Sequence, residues 1–83
     1  MSMDRIRLAR KRTIGTNQTT KALQQSIAKK VYVAKDAEAR VTAPIVALAQ
    51  ERGVPVEWID TMKQLGKACN IEVGAAAVAI IEE

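Results

Sequence analysis

Asn17, Gln18 and Lys21 follow directly on the pair Gly15-Thr16, and together they are the side chains of this sequence best suited to chemistry. A glycine followed by a threonine cap opens a helix, whose first turn leaves backbone N–H groups and the positive end of the dipole facing outward. On such a helix Asn17 and Lys21 are four residues apart and Gln18 and Lys21 three apart, so all three share one face. Two amides and an ammonium group at an exposed helix tip suit base edges and phosphates. Asn17 could instead cap the helix, but capping does not account for Gln18 and Lys21 beside it.

The composition excludes most other chemistry. There is no histidine and only one cysteine, so an internal disulfide, a zinc site, a Cys/His nucleophile pair and a histidine general base are ruled out. No phosphate-loop motif or paired-carboxylate site is present, and the chain is not expected to be an enzyme. Asp36, Glu38 and Asp60 do not have the spacing of a metal-binding loop and read as solvated turn residues. No metal or cofactor is expected. No segment has the form of a signal peptide or membrane span, because the longest apolar run, Ala75 to Ile81, is too short. The expectation is a cytoplasmic protein.

Charge is unevenly placed. Residues 1–35 hold nine Lys or Arg against Asp4 alone, and residues 36–83 hold four basic against eight acidic side chains, so +8 and −4 give the net +4. A basic half and an acidic half on one small domain predict a side that faces a polyanion. The alternative is a solvated basic tail.

The elements that must position these residues alternate between helical and strand patterns. Residues 1–12, with Arg5, Arg7, Arg10, Lys11 and Arg12, form a basic arm or short helix in which Ile6 and Leu8 offer modest burial. The domain proper covers 13–83. A short strand at Thr13-Ile14 ends at Gly15, and a helix runs from Thr16 to about Lys29 with Ala22, Leu23 and Ile27 inward. Val31-Tyr32-Val33-Ala34 is a buried strand. A helix follows from about Thr42 to Arg52, capped by Thr42, with Pro44 in its first turn and Gly53 and Pro55 at its end. Val56-Glu57-Trp58-Ile59 is a strand. Thr61-Met62-Lys63-Gln64 has the capping-box form for a third helix, which stops at Asn70. The loop Ile71-Glu72-Val73-Gly74 leads to a last strand, Ala76 to Ile81. This order means a layered α/β domain, a three-layer sandwich. Trp58 reads as partly buried on its strand, and Cys69 as a small core residue. Lys67 either faces a ligand or favours its helix C-terminus.

The heptapeptide Gly15-Thr16-Asn17-Gln18-Thr19-Thr20-Lys21, the segment Leu65-Gly66-Lys67-Ala68-Cys69-Asn70-Ile71-Glu72-Val73 and the small-apolar run to Ile81 resemble the L-seven-Ae kink-turn-binding ribosomal protein family, above all its short bacterial YbxF-type members. The resemblance implies an α/β/α sandwich with a small mixed four-stranded sheet. It implies binding to kink-turn RNA, a duplex bent at a three-nucleotide bulge beside tandem sheared G·A pairs. Asn17, Gln18 and Lys21 would contact the guanines, Gly15 and Thr16 would approach the backbone, and Ile71, Glu72 and Val73 would cover the bulged nucleotides. Arg10, Lys11, Arg12, Lys29 and Lys30 would contact phosphates. Side chains cannot read an ordinary A-form groove, so a distorted site of this kind suits a polar helix tip beside an apolar loop. The target would be ribosomal or leader RNA, bound by a monomer, on or off the ribosome. The other reading is a protein-interaction adaptor that works through the acidic half.

Overall fold

The computed structural model describes residues 3–83; Met1 and Ser2, the first positions of the expected arm, lie outside the described residues. The chain runs α1 (Met3–Leu8), β1 (Lys11–Ile14), α2 (Thr16–Gln24), β2 (Lys30–Ala34), α3 (Ala39–Glu51), β3 (Val56–Ile59), α4 (Met62–Ala68) and β4 (Ala77–Glu82). The strands form one mixed sheet in the order β1-β4-β2-β3, with β4 antiparallel to both neighbours and β3 parallel to β2.

Strand alternation sorts the core into two layers. Val31, Val33, Ala77 and Ala79 meet Ala22 and Leu23 of α2 and Ile45 and Ala49 of α3 on one face. Tyr32, Ala34, Val78 and Ile80 meet Ile6 of α1 and Leu65 and Ala68 of α4 on the other. The result is the expected α/β/α sandwich. Every residue from Val31 to Ala34 is buried, which is why this strand reads as a continuous apolar run rather than an alternating one. Ile6 exceeds the modest burial expected of it: its side chain is fully enclosed, and α1 packs on the sheet while Leu8 faces solvent. No helix among the described residues is long and apolar enough to cross a membrane.

Helix ends differ from the sequence reading in instructive ways. Glu38 occupies the N-cap of α3, and Thr42 lies inside the helix, buried. Pro44 therefore falls in the second turn, not the first. It cannot donate to the Arg40 carbonyl, and that carbonyl lies on an exposed stretch of the helix where water can satisfy it. Helix α2 ends at Gln24, short of Lys29, because Ser26 takes a left-handed conformation (φ 59°). There the Ser26 and Ile27 N–H groups donate to the Leu23 and Ala22 carbonyls. The same closing pattern recurs at Gly53 and Asn70. A serine is strained in this conformation where glycine is not. Ser26→Gly is therefore expected to stabilise the protein by about 0.5–1 kcal/mol, after loss of an exposed hydrogen bond from Arg52, in a thermal or urea melt.

Candidate nucleic-acid interface

Because β1, β2 and β3 all run in one direction, Gly15, Lys35 and Asp60 emerge at the same edge of the sheet, where the chain also enters β4. Carboxyl ends of strands are where open α/β sheets place their ligands. At this edge the Gly15 N–H donates to the Ala77 carbonyl (2.8 Å), which joins the start of α2 to the end of the 70–76 loop. The two sequence motifs, fifty residues apart in the chain by a rough count, thus meet on one side of the molecule.

Gly15 is the N-cap of α2, with φ 97° and ψ 164°, a backbone region essentially reserved for glycine. A Cβ there would meet nothing within 4 Å, so backbone conformation and not crowding demands the glycine. Thr16 is the first helical residue and not the cap, and no side chain caps this terminus. Asn17 is one position further on, which removes its alternative role as a cap. Thr19, fully buried, shares a hydroxyl–hydroxyl hydrogen bond with Thr13 of β1 (3.1 Å), fixing the first turn against the sheet. With Thr19, Ala22 and Leu23 turned inward, Asn17, Gln18 and Lys21 are left exposed on the outer face.

The second motif is held by close backbone contact. Helix α4 is capped twice, by the Thr61 hydroxyl accepting from the Gln64 N–H (3.0 Å) and by the Asp36 carboxylate accepting from the Met62 N–H (2.7 Å). Asn70 ends it at φ 61°. The loop then folds back along the helix, with the Ala75 N–H donating to the Met62 carbonyl. A Cβ on Gly66 would run into the Val73 carbonyl oxygen, and one on Gly74 would meet the Met62 Cβ at 2.9 Å. Held this way, Val73 is 72% exposed, Glu72 is exposed, and Ile71 is half-buried against the α1/α4 core layer. Ile71 thus anchors the loop and Val73 is its apolar tip.

The basic residues divide. Lys11 and Lys29 are exposed and outside the ion pairs of the described residues, and Arg10 is exposed with a long 3.8 Å pairing to Glu82. Lys30 lies under an ion pair with Glu57 (2.7 Å) and 5.0 Å from the centre of the Tyr32 ring. The Glu57 hydrogen bond raises its pKa against the opposing effect of burial. Arg12 is turned inward, donating to the Ile6 carbonyl (3.3 Å) and the Cys69 carbonyl (2.9 Å). Both side chains are committed within the fold, which leaves Lys11, Lys29 and Arg10 as the freer cations of the expected phosphate-contact set. The period of β1 carries the missed signal, since Arg12 shares the inward face of Ile14.

The basic and acidic halves also pair with each other, through Arg5–Glu83, Arg10–Glu82, Lys30–Glu57 and Lys35–Asp60. This reduces the charge separation that the sequence suggests. Trp58 is 45% exposed on the edge strand, Lys67 is exposed in the last turn of α4, and Glu38 pairs with Arg40. Cys69 is buried, and burial pushes its thiol up, with the nearby Arg12 charge opposing. The thiolate is thus disfavoured at neutral pH, and a thiol reagent is expected to label Cys69 only after denaturation; prompt native labelling would contradict its burial.

Residues 3–83 match the model of the ribosomal protein L7Ae/L30e/S12e/Gadd45 family. The chain belongs to this family. It is 54% identical to an RNA-binding protein of Bacillus pumilus over 81 residues, 98% of this chain and 99% of that one. It is 49% identical to the RNA-binding protein YbxF of Geobacillus stearothermophilus, over the same shares of the two chains. Among solved structures, the Giardia lamblia 15.5kD RNA binding protein superposes with a TM-score of 0.88 at 23% identity, covering 99% of this chain and 72% of that one, a likeness of fold. Membership makes this L7Ae-family chain a short bacterial-type, non-enzymatic member.

Proposed function

We propose that this L7Ae-family protein binds structured RNA, and that its target is a kink-turn. The observation that carries the reading is the meeting at one sheet edge of an uncapped helix start bearing Asn17, Gln18 and Lys21 with a loop bearing the exposed Val73. The first offers donors and acceptors to guanine edges, and the second an apolar surface to unstacked bases. RNA-binding relatives at about half identity over nearly the full length support the coarser part of the proposal. Lys11, Lys29 and Arg10 contribute phosphate contacts, which add affinity and salt dependence but little specificity.

The mechanism is a shift of population. RNA that exchanges between extended and kinked forms is drawn toward the form that the protein binds better. A kink-turn RNA labelled with donor and acceptor dyes on its two arms tests this. Energy transfer should rise as protein is added without divalent cations, to saturation at one protein per RNA. Binding without a rise in transfer would refute the mechanism. The protein acts as a monomer in this reading, in the cytoplasm, on ribosomal or leader RNA.

A further inference from the structure

Arg12 joins the end of α1 to the end of α4. Its guanidinium donates to the carbonyl of Ile6 near the end of α1 and to that of Cys69, the C-cap of α4. Carbonyls in the last turn of a helix lack partners within it, and a guanidinium bonds them with charge assistance; the Ile6 carbonyl also accepts from the Ala9 N–H (3.4 Å). The Arg12 Nε is enclosed and, among the described residues, donates to no atom, which shows how deeply the group is set. A break in register between Lys11 and Arg12, where Ile81 of β4 is skipped, accompanies this inward aim.

The connections matter for where Arg12 stands in the sequence. Three residues on, just past the end of β1, comes Gly15, which opens α2. The residue after Cys69 is Asn70, which begins the loop carrying Ile71 and Val73. One side chain therefore ties the strand that launches the helix tip to the helix end that launches the loop. We infer that Arg12 is a positioning residue for the RNA site, setting the loop of residues 70–74 relative to the start of α2, and that it does not itself touch RNA. This rests on the proposed RNA reading for its functional consequence, but its structural core does not.

The test uses the full chain with Arg12→Met, and with Arg12→Lys as a second variant that keeps the charge but replaces the planar two-armed fork with a single nitrogen. Amide hydrogen exchange in the free protein is read at Ile71, whose N–H donates to the Gly66 carbonyl, against the amides of β2 and β4. Exchange at Ile71 should quicken by about tenfold while the central strands keep their wild-type rates, a local opening. An equal quickening everywhere, or none at Ile71, overturns the inference. Binding to a kink-turn RNA should weaken by roughly tenfold, with the slope of log affinity against log salt unchanged. A slope shallower by about 0.7–0.9 would mean a lost phosphate contact and would also overturn it. If the wild type fails to prefer the kink-turn, the RNA reading fails, and the exchange measurement still decides the role of Arg12.

Discussion

Replacing Asn17 or Lys21 with alanine is expected to weaken kink-turn RNA binding by about 1–3 kcal/mol each, a tenfold loss or more, by analogy with paired contacts to base edges. The structure makes this a clean test. Both side chains are exposed, Asn17 is not the cap, and α2 is held to the sheet by Thr19, Ala22 and Leu23 on its opposite face. Thermal stability should therefore stay within about 0.5 kcal/mol of wild type. Binding is read by titration calorimetry or by a gel-shift series at fixed salt, with melts run alongside. Native affinity in both folded variants would remove the helix tip from the site.

The second large effect is expected at Gly66, and its sign runs against helix propensity. Alanine in place of a helical glycine ordinarily gains up to about 1 kcal/mol. Here the added methyl group would meet the Val73 carbonyl oxygen and the backbone of Gly74, atoms that no side-chain rotation can move. Either α4 or the loop must shift. Gly66→Ala is thus expected to destabilise the fold by about 1–3 kcal/mol in a urea melt, the scale of overpacking. RNA affinity should fall as well, because the displaced segment carries Val73. A melting temperature above wild type would show that the loop yields freely and that its placement against α4 is not tight.

Much of this fold is written in local sequence. The buried run Val31–Ala34, the strand Val56–Ile59, the cap Thr61–Gln64 and the stop at Asn70 are each specified by local chemistry, and each is found in the structure. The helix tip was legible for the same reason, since spacing alone puts Asn17, Gln18 and Lys21 on one face. What escaped depends on partners distant in sequence. Arg12 reads as one more cation in a basic run until the carbonyls of Ile6 and Cys69 are seen to converge on it. Ile6 looks too isolated to be core until α4 and Tyr32 close over it. Gly66 and Gly74 are ordinary small residues until helix and loop are found in contact. Pro44 and Thr42 misled because α3 begins at Ala39, and neither the cap nor the proline preference outweighed the burial of Thr42 and Ile45. Local signals fix elements; contacts between them fix the site.

The proposed function is recognition of RNA shape rather than of RNA charge. It is tested most directly by comparing affinity for a kink-turn RNA with that for a control in which the tandem G·A pairs are replaced by Watson–Crick pairs, at near-physiological salt. Binding to the first should be tight, and binding to the second weak and salt-sensitive. Equal binding to both would contradict it, and would reduce the exposed lysines to a surface for any polyanion.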